Sequence, residues 1–115
     1  MIKVKYTYDR NKRECSLLVK GHAGQADKGY DIVCASASIL AYTIAQVIKA
    51  MDHHGDLGEP PTLDLEDGNA TIVCRAEDDY TFSEMMQSFF VIRTGYAVLA
   101  HNYPQYVQII KDDKA

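Results

Sequence analysis

Between residues 2 and 8 apolar and polar side chains alternate. Ile2, Val4, Tyr6 and Tyr8 fall on one side, and Lys3, Lys5 and Thr7 on the other. Period two is the mark of a half-buried strand. A polar turn occupies 9–13, and the alternation resumes over 14–21 with Cys15, Leu17 and Val19 on one side. The two segments predict a hairpin. Residues 23–30 hold Gly24 and Gly29 and no aliphatic side chain larger than Ala, the composition of a loop. From Asp31 the period changes. Ile32, Val33, Leu40, Ile44, Val47, Ile48 and Met51, with Ala35, Ala37, Ala41 and Ala45 between them, predict a helix to about His53. Its apolar positions cover much of its circumference, so it packs on more than one side. Gly55 is a natural stop.

Residues 55–61 form a linker that ends in Pro60 and Pro61. Segments 62–66 and 70–75 flank Asp67 and Gly68, a strong hairpin signal. A second helix is expected from Thr81, where Thr81 and Glu84 match a capping box. It continues through Met85, Phe89, Ile92, Tyr96 and Leu99 to about Asn102, and Pro104 ends it. Residues 106–110 make a last strand. The order ββαββαβ predicts an α+β fold: two layers, a mixed, mostly antiparallel sheet and two helices. Residues 1–115 are expected to form one domain. Helices this apolar make a dimer that hides surface plausible.

Composition narrows the function. Apolar residues make up 47% of the chain, enough for a core, and the formal net charge is −4, from 12 Lys and Arg against 16 Asp and Glu. A protein that tracks a nucleic-acid backbone carries a basic excess, so a direct nucleic-acid partner is not expected. No run reaches the roughly 18 uninterrupted apolar residues of a membrane span, and residues 1–8 lack the apolar core of a signal peptide. A cytoplasmic protein with no membrane partner is the expectation. Cys15, Cys34 and Cys74 are odd in number and widely spaced. They argue against a disulfide framework and, with no Cys-x-x-Cys, against a zinc site. No metal and no cofactor are expected.

One of these thiols stands in a reactive setting. His22 follows a strand end between Gly21 and Gly24, whose small size lets the backbone turn sharply. With Asp31 as N-cap, Cys34 falls in the first turn of a helix. The partial positive charge there favours thiolate, the nucleophilic form, and a nearby imidazolium favours it further. The same helix end offers the backbone N–H groups of Cys34 and Ala35 as oxyanion donors. Read blandly, Cys34 is a small buried hydrophobe and His22 a surface residue. The spacing permits contact between them without requiring it.

The elements Gly21-His22-Ala23-Gly24 and Asp31-Ile32-Val33-Cys34-Ala35-Ser36-Ala37-Ser38 resemble the signature of the ribosomal-processing cysteine proteases, the Prp family. The resemblance extends along the whole chain. It implies an endopeptidase that removes the N-terminal extension of the large-subunit ribosomal protein numbered twenty-seven, after an aromatic-rich segment. It also implies that His22 and Cys34 are the catalytic dyad and that Asp31 and Ser38 support it. A loop with Gly24, Gly29 and Tyr30 would be mobile until substrate binds, and the protein would be a homodimer. The precursor ribosomal protein is then the peptide partner. Asp31 can either cap the helix or orient His22. Ser38, one turn after Cys34, can bond near the thiolate or simply be small at a helix contact.

Other residues have plainer uses. Cys15 and Cys74 suit core positions. His53, His54 and His101 suit helix C-termini. Among Tyr30, Phe89, Phe90 and Tyr96, one or two could line a pocket for aromatic substrate side chains. Two other functions compete with the protease. A non-catalytic ribosome-associated binding module would use the acidic surface alone, and thiol redox chemistry would need Cys15 or Cys74 beside Cys34.

Overall fold

The opening alternation becomes an antiparallel pair, β1 (Ile2–Asp9) and β2 (Glu14–Lys20), in the computed structural model, which describes residues 1–24 and 31–110. Tyr6 faces Leu17 and Val4 faces Val19, so the apolar sides of the two strands coincide. β3 (Thr62–Glu66) and β4 (Asn69–Arg75) form the second hairpin around Asp67 and Gly68. β4 also pairs antiparallel with β2, bringing Ile72 opposite Leu17 and Cys74 opposite Cys15. β5 (Val107–Ile110) adds parallel to β1. The sheet order is β3-β4-β2-β1-β5, and the mixed, mostly antiparallel α+β architecture is as expected.

Helix α1 (Ile32–His53) starts at the expected place, with Asp31 as its N-cap. Helix α2 (Asp79–Asn102) starts earlier than expected. Its cap is Asp78, whose Oδ1 accepts the Thr81 N–H at 2.8 Å. That bond holds the Asp78 carboxyl below its ordinary range. A carboxylate is a strong acceptor for a free first-turn amide. It takes the capping role, and Thr81 is buried inside the first turn.

Both helices contribute to one core with a single face of the sheet. Ile2, Val4, Leu17, Val19 and Ile72 meet Val33, Ala41, Ile44 and Ile48 from α1 and Met85, Phe89, Ile92 and Tyr96 from α2. The Tyr96 hydroxyl donates to the Ala37 carbonyl at 2.7 Å and ties the helices together. α1 is long and apolar enough to match a membrane span by composition. Its buried stripe of Val33, Ala37, Ala41, Ile44, Ala45 and Ile48 is that of a core helix. On the helices, Ile39, Tyr42, Phe90, Val91 and Val98 are each more than half exposed.

Candidate active site

The register of β2 on β4 places the site. Lys20 pairs with Asn69, so the chain leaving β2 runs beside the β3–β4 turn. The Gly21 N–H donates to the Gly68 carbonyl at 2.9 Å. Gly21 adopts φ 100° with the Met1 carbonyl close against its Cα, where no side chain fits. Gly68 adopts φ 75°, and a Cβ there would lie 2.5 Å from Nε2 of His22. The imidazole therefore rests on the face of the turn that glycine leaves open. The Met1 nitrogen donates to the His22 carbonyl at 2.6 Å and fixes the backbone from the other side.

Cys34 enters from α1. Its half-buried sulfur accepts the Ala23 N–H at 3.2 Å. The Ala23 nitrogen is one peptide unit from the His22 Cα, so that Cα lies no more than about 5.6 Å from the sulfur. An imidazole spans such a distance. His22 and Cys34 line one cleft together with Gly21, Ser38, Tyr42 and Gly68. Apolar Ile2, Val19, Ala37, Ala41, Leu65 and Ala70 line it further, and Glu66 and Asp67 stand along it. Among the described residues no hydrogen bond joins the His22 side chain to Cys34 or Ser38 to Cys34. His22 and Ser38 are exposed to solvent.

Asp31 caps the helix. Its Oδ1 accepts the N–H groups of Val33 and Cys34, each at 3.0 Å, which is an N-cap by geometry. The Ala35 N–H donates to the Asp31 carbonyl at 3.0 Å. The expectation that the Cys34 and Ala35 amides are open oxyanion donors is therefore corrected. The residue that starts the helix consumes both. Sequence reasoning also missed the Ala23 amide and Gly68. Neither has a local signature, because both act only once β2 and β4 are paired.

Gly24 follows Ala23 at φ 73° with open space around it. Gly29 and Tyr30 lie outside the described residues, as does most of the loop expected to move. Of the aromatic residues expected to be core or to line a pocket, Tyr30 lies outside the described residues. Phe89 and Tyr96 are core and Phe90 is exposed elsewhere, while among the described residues Tyr42 is the aromatic side chain that lines the cleft.

The remaining thiols are buried. Cys74 Sγ lies 3.7 Å from the Cys15 carbonyl and 3.5 Å from Met85 Sδ. Burial pushes the Cys74 thiol up to about 12 and Cys15 higher still. Cys15 is about 17 Å back along β2 from the end at Lys20. It is out of reach of Cys34, as is its cross-strand partner Cys74. The rings of His53 and His54 meet edge to face at 5.9 Å at the far end of α1. Among the described residues no three His, Cys, Asp or Glu side chains gather into a metal-binding group.

Comparison with known proteins bears on this arrangement. A family described as cysteine protease Prp matches residues 1–108. Among curated proteins there is no match. The fold is similar to that of a Staphylococcus aureus ribosomal processing protease Prp crystallised with a covalently linked product peptide. The TM-score is 0.69 at 21% identity, over 97% of this chain and 100% of that one. A second structure of the S. aureus protease, with a substrate peptide, gives a TM-score of 0.67 at 19% identity, over 97% and 100% of the two chains. A crystallised Streptococcus mutans protein gives 0.65 at 24% identity, over 97% and 96%. At these identities the likeness carries the fold.

Proposed function

The chain belongs to the Prp family of cysteine proteases, and from that premise we propose that it is an endopeptidase of ribosome maturation. In this reading it removes the N-terminal extension of the large-subunit ribosomal protein numbered twenty-seven. Cys34 is the nucleophile and His22 the base. The observation that carries the assignment is the placing of both side chains on one cleft, with the peptide unit after His22 bonded to the Cys34 sulfur.

The chemistry follows from those positions. The exposed imidazole turns about its side-chain bonds towards the sulfur and takes up the thiol proton. Such hydrogen bonds often tighten only in the substrate complex. The thiolate attacks the scissile carbonyl, the imidazolium protonates the leaving amine, and water then releases the acyl group. Asp31 holds the first turn of α1, and so Cys34, in place. Ser38 lines the same cleft one turn on.

The net charge of −4 supports a basic peptide as substrate. Glu66 and Asp67 along the cleft support it too. The exposed apolar side chains of α1 and α2 support a homodimer. Three free thiols support a reducing, cytoplasmic setting. The test is cleavage of a peptide that spans the ribosomal protein's N-terminal extension. The native chain should cut it, and chains carrying Cys34→Ala or His22→Ala should not. Cleavage by the Cys34→Ala chain would end this reading.

A further inference from the structure

The donor that stabilises the reacting oxygen must be sought beyond the Cys34 and Ala35 amides, because both are occupied. Val33 and Cys34 donate to the Asp31 carboxylate, and Ala35 donates to the Asp31 carbonyl. The Gly21 N–H is taken by Gly68. Of these neighbouring amides and that of Ala23, only Ala23 points at sulfur, at 3.2 Å.

We infer that the Ala23 backbone N–H is the oxyanion donor of this site, held on the Cys34 sulfur before attack and on the substrate oxygen after it. This rests on the assignment of Cys34 as nucleophile. As the sulfur–carbon bond forms, the π pair of the carbonyl moves onto oxygen. That oxygen is then two bonds from sulfur. A donor already touching sulfur needs only a small shift to bring it within about 2.7–3.1 Å, the working distance of an oxyanion donor. On collapse the pair returns to the carbonyl, the carbon–nitrogen bond breaks, and the leaving nitrogen takes its proton from His22.

The donor is fixed before the reaction begins. Ala23 is only 6% exposed, so its methyl is held in the core. Two residues back, Gly21 is anchored on Gly68. The peptide between His22 and Ala23 therefore joins the base and the oxyanion donor in one rigid unit. A preorganised donor needs no rearrangement as charge develops, which is the source of its catalytic value.

The test removes the Ala23 hydrogen-bond donor; the ester also weakens the His22 carbonyl as acceptor for the Met1 nitrogen, a bond on the far side of the peptide from the sulfur. A synthetic segment 1–33 carrying L-lactic acid in place of Ala23 is ligated to a segment that begins at Cys34. This exchanges the amide for an ester. Against the ligated native chain, kcat for the extension peptide should fall by roughly 100- to 1000-fold. KM should stay within a few-fold. A kcat within threefold of the ligated native chain would overturn the assignment.

If the ester chain lacks the native circular dichroism spectrum, the native chain answers instead. A peptide aldehyde adds to Cys34 as a hemithioacetal, and the Ala23 amide proton should then show the largest downfield NMR shift in the chain. An unmoved Ala23 resonance while the rest of the cleft responds would also overturn it. Failure of the ligated native chain to cleave, or cleavage by the Cys34→Ala chain, would instead strike the protease reading itself.

Discussion

Replacing Gly68 by alanine puts a methyl carbon 2.5 Å from Nε2 and 2.9 Å from Cε1 of His22. Favourable contacts of that kind lie near 3.5–4.0 Å, so the ring must retreat by about 1 Å. The ring is exposed and can swing away, so the clash itself costs little stability. The backbone costs more. At φ 75° an L-alanine is strained by about 1–2 kcal/mol. For a domain of this size that lowers Tm by roughly 5–10 °C. The effect on rate is larger, because a misplacement of about 1 Å in a catalytic group lowers turnover by roughly 100-fold. Gly68→Asn separates the two effects. Asparagine tolerates the left-handed region better, so its Tm recovers, but it keeps the Cβ and so the rate loss. Melting by circular dichroism and kcat/KM for the extension peptide, both at a temperature where each variant is folded, read the outcome. If both variants are folded and within threefold of native kcat/KM, the position of His22 against the turn does not matter to the reaction.

Three other perturbations test separate links in the argument. Iodoacetamide at pH 8 should add one group to the native chain, on Cys34, and reach Cys15 and Cys74 only in guanidinium. Peptide mapping checks this, and labelled Cys74 in native buffer would contradict it. Asp31→Ala should lose the two cap bonds and about 1–2 kcal/mol, whereas Asp31→Asn keeps an acceptor and should melt near native. Equal losses would point to the charge rather than the cap. In alkali, burial outweighs the opposing pull of Arg93 and pushes the Tyr6 phenol up to about 12. A phenol raised in the folded state contributes its stability in full below about pH 10, the unfolded value, and loses it as pH rises through about 12. Denaturation midpoints should therefore fall between those values, less so for Tyr6→Phe, and a flat profile for the native chain would refute this.

What the sequence makes legible is local. The Asp31 cap, the Asp67-Gly68 turn and the alternation of β1 and β2 each depend on residues within a few positions of one another, and each stands where the pattern puts it. The early start of α2 is also local, but two capping signals compete there, and the carboxylate of Asp78 wins over the hydroxyl of Thr81. The meeting of His22 with Gly68 is of another kind. It depends on β2 pairing with β4 across the whole of α1, with Lys20 opposite Asn69. A shift of one residue in that register would turn every side chain to the other face. Nothing in Gly21-His22-Ala23-Gly24 encodes it. The parallel addition of β5 to β1 is equally remote in sequence.

The overturned oxyanion expectation carries a more general physical point. A helix N-terminus has four amide hydrogens without helical partners, and an acidic N-cap and a reacting carbonyl oxygen want the same ones. Here Asp31 holds two of the four, those of Val33 and Cys34, through its side chain, and its carbonyl accepts the first bond of the helix proper, from Ala35. The helix can then anchor the nucleophile firmly or offer its amides to substrate, but not both with the same groups. A fold that uses those two amides for anchoring can bring its oxyanion donor from another element. The Gly21–Gly24 segment leaving β2 is the element that reaches the sulfur. On this argument the two glycine-bracketed residues divide the work. The side chain of His22 moves the proton, and the backbone of Ala23 steadies the charge.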